Sequence, residues 1–245
     1  MNIRERLLAI QQIVNAGVDT QGATRILELM GASAFPMEIL EEIRLYGEYL
    51  PKAQELGFSK EQRYLHFLWD SLDKLPISVV VDFAIPFRRI IARRLFKKCG
   101  KNFTAEVNVH FNLGQNLEVG DDVFMNRDVF LDVKGGIVLG NFVGLGEGVE
   151  IYTHRHSESQ HAQRSYAKVV IGDFAKIYAH AMILPGVTVG EQAIVAAKSM
   201  VNKDVEPNMM VAGIPARVIR ERNTGGRVKE DLTHIWLHNA AFQNE

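Results

Sequence analysis

From Ile171 an aliphatic residue recurs at every sixth position: Ile177, Ile183, Val189, Val195 and Val201. Four places after each stands a small or short side chain: Ala175, Ala181, Val187, Ala193, Ser199 and Val205. A period of six would carry these positions around an α-helix. In extended chain six is even, so all of them face one side. A strict short period marks a solenoid. The period is traced back through Ile151, Leu145 and Leu139, then, after a slip at Gly135-Gly136, through Leu131, Met125, Val119, Leu113 and Val107. It breaks across 157–168, SESQHAQRSYAK. Gly-Asx pairs between the aliphatic positions, as in Gly120-Asp121, Gly140-Asn141 and Gly172-Asp173, suit tight turns between very short strands. The pattern predicts a coil of three short strands per turn, with the aliphatic residue pointing inward on each.

The first 75 residues carry helical spacing instead. Ile3, Leu7, Ile10 and Val14 predict one helix stopped at Gly17, and Thr20 opens a second with Ile26, Leu27 and Met30, ended by Gly31. Pro36 begins a third with Ile39, Leu40, Ile43 and Tyr46, and Ser59 with Gln62 forms a capping box for a fourth with Leu65, Leu68 and Leu72. Residues 83–105 hold seven basic side chains and no acid until Glu106, with Phe83, Phe87, Ile90, Ile91 and Leu95 on one helical face. A basic amphipathic helix of this kind can lie on an anionic membrane; the more ordinary reading is a linker helix with solvated charges. The expected organisation is a helical region 1–75, the basic helix as a cap over 76–106, a β-helix over 107–219 and a tail, with a helix, over 220–245.

Composition narrows the function. A formal net charge of −1 argues against a dedicated nucleic-acid binder. The single Cys99 excludes an internal disulfide framework and fits a reducing compartment. Neither a signal-peptide core nor 18 consecutive apolar residues occur, so the expected location is cytoplasmic, with peripheral membrane contact through 83–101 as a further expectation.

Three stretches together resemble the hexapeptide-repeat acyltransferases: MNRDVFLDVKGGIVLGNFVGLGEGVEIYTHRH (125–156), VVIGDFAKIYAHAMILPGVTVG (169–190) and VNKDVEPNMMVAGIPARVIRER (201–222). The chain looks most like the maltose, galactoside and polysaccharide O-acetyltransferases. This resemblance implies a left-handed parallel β-helix, although chain crossovers are ordinarily right-handed. It also implies a homotrimer, acetyl-CoA as cosubstrate, no metal, and a sugar or glycan acceptor. A sugar hydroxyl needs a base, and histidine is suited to that work near neutral pH. The resemblance places the base at His156, where the solenoid breaks; His154 is the competitor, with His161 and His180 behind it. By the same resemblance Asn126 and Asp132 fall where the acceptor binds, Ala179 and Ala197 where backbone groups meet pantetheine, and Asn202, Lys203, Arg217 and Arg220 near the nucleotide. Lys176 and Tyr178 stand where relatives commonly carry Trp and Gly. Two alternatives are kept: a zinc lyase like the γ-carbonic anhydrases, suggested by the five-residue offset of His156 and His161, and a non-catalytic trimeric scaffold.

Overall fold

The structure is a computed structural model that describes residues 1–33, 35–45, 48 and 57–232. It divides into two units, one of residues 1–96 with 113–115 and one of 97–112 with 116–245.

The first unit is helical. Helix α1 (Ile3–Ala16) starts at an Asn2–Glu5 capping box and stops at Gly17, and α2 (Thr20–Met30) runs from the Asp19 cap to a left-handed Gly31. Helix α3 (Met37–Glu41) is shorter than its spacing predicts: Ile43 lies beyond it, and Tyr46 falls outside the described residues. Helix α4 (Lys60–Leu72) begins at the expected Ser59–Gln62 box. Helix α5 (Val81–Leu95) corrects the membrane reading. Its apolar face is buried within the chain, and so are Arg88 and Arg89, at 1 % and 2 % exposure. Arg88 is ion-paired with Asp73, and Arg94 with Glu61 at 2.8 Å. The apolar stripe that would have faced a bilayer is thus covered by the chain itself, and the helix exposes Arg93 and Arg94 instead. No helix among the described residues is long and apolar enough to cross a membrane.

The second unit is a parallel β-helix of three sheets. The first contains Lys98–Cys99, Leu117–Val119, Ile137–Leu139, Val169–Ile171 and Thr188–Val189. The second contains Thr104–Ala105, Phe124–Met125, Gly144–Leu145, Lys176–Ile177, Ile194–Val195 and Met209–Gly213, closed by the antiparallel strand Ala216–Glu221. The third contains His110–Asn112, Phe130–Asp132, Glu150–Ile151, Met182–Ile183 and Met200–Val201. The predicted aliphatic positions pair coil on coil: Leu139 with Ile171 and Val189, Leu145 with Ile177 and Val195, Ile151 with Ile183 and Val201. Their side chains fill a dry interior, where each contributes ~1.5–3 kcal/mol of burial.

The period of six holds in every coil at only two corners of the triangle. At the third corner, between the third and first sheets, the inward positions run from Phe111 to Val119, Leu131 to Leu139, Ile151 to Ile171, Ile183 to Val189 and Val201 to Val205. The coil from Phe111 to Val119 therefore spends eight residues where six were counted, and the eight from Leu131 to Leu139 are the slip at Gly135-Gly136. Stepping back from Val119 by sixes misplaces the register: the inward residues are Phe111, Ala105 and Cys99, not Leu113 and Val107, and strands begin at Lys98. As far as Leu232, where the described residues end, the tail holds only a 3-10 turn at Lys229–Asp231, and the rest of the stretch expected to carry a helix lies outside them.

The Gly-Asx turns form a ladder at the corner between the first and second sheets. Asp121 accepts from the Lys101 N–H (2.7 Å), Asn141 from that of Asp121 (2.9 Å) and Asp173 from that of Asn141 (2.8 Å). The glycine before each leaves room for the next coil: a Cβ on Gly120 would lie 2.7 Å from the carbonyl carbon and oxygen of Gly140. Backbone cannot yield as a flexible side chain would. Gly120→Ala is therefore expected to cost about 2 kcal/mol, read as a lower midpoint in urea unfolding; an unchanged midpoint would mean that the coils can slide apart.

Candidate active site

The long segment between Ile151 and Ile171 is not a featureless loop. His154–His156 pairs antiparallel with Arg164–Tyr166, setting His154 opposite Tyr166, Arg155 opposite Ser165 and His156 opposite Arg164. The tip is closed by the Ser157 N–H on the Gln163 carbonyl (3.0 Å). Alternation along the strand puts His154 and His156 on one face and Arg155 on the other. The two imidazoles stand 5.2 Å apart, edge to face. Arg155 reaches the Pro185 carbonyl (2.6 Å) on its own side.

The root of this hairpin is fixed by Asp132, which is 1 % exposed. One carboxylate oxygen accepts from Lys134 Nζ (2.6 Å) and Asn112 Nδ2 (2.7 Å); the other takes His154 Nδ1 (2.5 Å) and the Thr153 N–H (3.2 Å). Burial alone would push this carboxyl up, but hydrogen bonds from Lys134, Asn112 and His154 and the Lys134 charge hold it below the usual 3.8. Thr153 adds a hydroxyl bond to the Asp132 carbonyl (2.5 Å) and accepts from the Gly135 N–H (2.7 Å). Both oxygens of Asp132 are bonded within the chain, and the second of them holds His154.

His156 sits farther out and is exposed. Its Nδ1 bonds the His161 carbonyl (2.7 Å), and because a carbonyl only accepts, Nδ1 carries the proton and Nε2 is the basic nitrogen. The His161 ring stacks on it at 4.1 Å and 8°. Parallel rings in this arrangement do not converge on one ion, and among the described residues no group of three or more His, Cys, Asp or Glu is placed to hold a metal. Glu158, near in sequence, is not what orients His156.

The remaining sequence candidates lie on other parts of the coil. Asn126 is half-buried at the corner between the second and third sheets, its Oδ1 accepting from the Arg127 N–H (2.8 Å). It is not beside Asp132, which ends the following strand. Ala179 and Ala197 follow the paired residues Ile177 and Val195 by two positions, so they occupy the same column of that corner in successive coils. Asn202 and Lys203 are exposed after the last third-sheet strand, and Arg217 and Arg220 are exposed on Ala216–Glu221. Tyr178 is 45 % exposed beside Ala179. Lys176 is buried, donating to the Phe142 carbonyl (2.6 Å); burial, with the nearby Arg222 charge, pushes its amine down to about 7. His180 is a left-handed turn residue of the same corner.

Comparison with known proteins agrees with this architecture. Residues 168–203 match the family model described as bacterial transferase hexapeptide (six repeats). Galactoside O-acetyltransferase of Escherichia coli K12 is 29 % identical over 140 residues, covering 56 % of this chain and 69 % of that one. A hexapeptide-repeat containing acetyltransferase of Vibrio cholerae is 30 % identical with a TM-score of 0.58 over 67 % of this chain and 94 % of its own, and the same protein has been solved with acetyl-CoA. A maltose O-acetyltransferase of Clostridium difficile 630 is 28 % identical with a TM-score of 0.60, over 76 % of this chain and 96 % of its own. The chain belongs to the hexapeptide-repeat acetyltransferases.

Asp132→Asn removes the charge that four donors share. It is expected to cost about 3 kcal/mol at neutral pH. Because the folded carboxyl lies below its ordinary value, the wild-type advantage is fully present above pH 3.8 and shrinks as pH falls below it. Paired urea melts across pH 2.5–7 check this; a difference that is flat with pH would assign the loss to packing rather than charge.

Proposed function

We propose that the protein transfers an acetyl group from acetyl-CoA to a hydroxyl of a sugar or polysaccharide unit, working as a homotrimer with His156 as general base. The observation that carries the assignment is the exposed His156 ring, its Nδ1–H spent on the His161 carbonyl and its basic Nε2 set on a projecting hairpin. Nε2 takes the proton of the acceptor hydroxyl as its oxygen attacks the thioester carbonyl. The tetrahedral oxyanion is met by backbone N–H groups. The C–S bond then breaks, and the imidazolium returns the proton to the leaving thiolate. The coenzyme lies along the Ala179 and Ala197 column, with Asn202, Lys203, Arg217 and Arg220 toward its nucleotide. The acetyl-CoA complex of the Vibrio cholerae relative and the O-acetyltransferase names of the others support this reading.

Geometry also supports the trimer. The hairpin leaves the corner between the third and first sheets, whereas Ala179 and Ala197 line the corner between the second and third. One chain thus offers its base at one corner and its coenzyme path at another, and threefold packing brings a neighbour's corner to each base.

A second reading has its own observation: the buried Asp132 carboxylate on Nδ1 would make His154 the base. Acetyl-transfer kinetics of His156→Ala and His154→Gln separate them. Loss of a general base costs ~10²–10⁴ in kcat; that loss is expected for His156→Ala, with His154→Gln down only several-fold, and the reverse order moves the role to His154. For assembly, mixed trimers of His156→Ala and Ala197→Trp chains should regain about a quarter of wild-type turnover, since random mixing of a heterologous interface rebuilds that share of sites. No regain would place the whole site within one chain.

A further inference from the structure

We propose that the acceptor carries a negative charge, a carboxylate or phosphate borne by the sugar, which is read by cations grouped around the hairpin. This rests on the acetyl-transfer reading above and deepens it. Three observations converge. First, Arg164 stands directly opposite His156 in the hairpin register. Directly paired residues of an antiparallel ribbon share a face, with Cβ atoms roughly 4.5–5.5 Å apart. The Cβ of Arg164 therefore lies on the same face of the ribbon as that of His156. Second, a cleft of about 290 Å³ opens at the hairpin root, lined by Lys97, Lys134 and Lys168 with Glu118 as its only acid. Glu118 is already bound to Lys97 at 2.7 Å. Third, this cleft is joined to the histidines through Asp132, whose two oxygens are held by Lys134 and His154; Lys134 offsets Asp132 as Lys97 offsets Glu118, so Lys168 supplies the cleft's excess charge.

The charge balance of the segment agrees. From Tyr152 to Lys168 it holds Arg155, Arg164 and Lys168 against Glu158 alone. Arg155 is turned to the other face, on the Pro185 carbonyl, so Arg164 and Lys168 carry this local excess in a chain whose formal net charge is −1. The side chain of Lys168 extends across Gly136, where a Cβ would come within 3.7 Å of it, so its stem is supported and its ammonium is presented at the cleft. A guanidinium takes a carboxylate or phosphate in a bidentate fork, which adds orientation to attraction. Attraction of this type also weakens with salt.

The test compares acceptors matched except at C6, where the anion replaces or caps the 6-hydroxyl: methyl glucoside against methyl glucuronide, methyl galactoside against methyl galacturonide, and glucose against glucose 6-phosphate. Binding to the full-length protein is measured by calorimetry at low and high salt, and acetyl transfer by coenzyme A release. At least one acidic member is expected to bind ten-fold or more tighter than its neutral twin, with the gap narrowing in high salt. The uronate and phosphate arms show which anion is read. In Arg164→Gln and in Lys168→Gln the gap should fall several-fold, chiefly through KM of the acidic acceptor rather than kcat. If no acidic member outbinds its neutral twin, or if the gap survives in the Arg164→Gln, Lys168→Gln double variant, the inference is overturned. Binding is read without turnover, so absence of acetyl transfer would count against the proposed function alone.

Discussion

One requirement governs the β-helix: the backbone N–H and C=O groups of each coil must meet those of the coils on either side at a spacing of ~4.8 Å. A residue inserted in a strand or at either six-residue corner would shift every later pair. The Gly-Asx ladder shows how tightly this is enforced at one corner, where a side-chain oxygen of one coil takes an N–H of the coil before it and glycine is required beside it. The corner between the third and first sheets escapes the constraint, because chain that leaves the stack there and returns to the same point leaves the pairing intact. The hairpin that carries His154 and His156 is that excursion.

Asp132 makes the excursion rigid at its base. A buried carboxylate is costly unless fully bonded, and here Lys134, Asn112, His154 and the Thr153 amide satisfy it. One charge thereby ties the preceding coil, through Asn112, to the hairpin, through Thr153 and His154. His156 has lighter support, from the His161 carbonyl and ring at the tip. The site thus joins a fixed inner imidazole to an outer one that meets solvent.

The fold was largely legible because the six-residue period is strict after Ile171, and coils with identical corners repeat faithfully in sequence. It was misread before Val119 because the eight-residue corner from Phe111 to Val119 mimics a continued period with a two-residue offset. The arginines of α5 were misread because a run of basic residues does not reveal that Asp73, fifteen positions earlier, covers one of them. The break in the period leads to His156, and the resemblance supplies its expected role. The Asp132–His154 pair could not be found from local spacing, since its members are 22 residues apart. Once the 20-residue coil is known the signal becomes plain: Leu131 pairs with Ile151, so Asp132 and Thr153 must meet at one corner with His154 next in line. The cations around the hairpin were visible as letters, but only the register shows that Arg164 faces His156.

The unequal length of that one corner has an evolutionary consequence. Because the distance along the chain from Ile151 to Ile171 is uncoupled from the pitch of the stack, the segment can gain or lose residues while the interior stays in register. Under the function proposed above, acceptor preference would diverge by insertion and deletion in this single cassette, without a compensating change elsewhere. A scaffold that forbids indels almost everywhere concentrates its capacity for new specificity at the one seam where they are harmless.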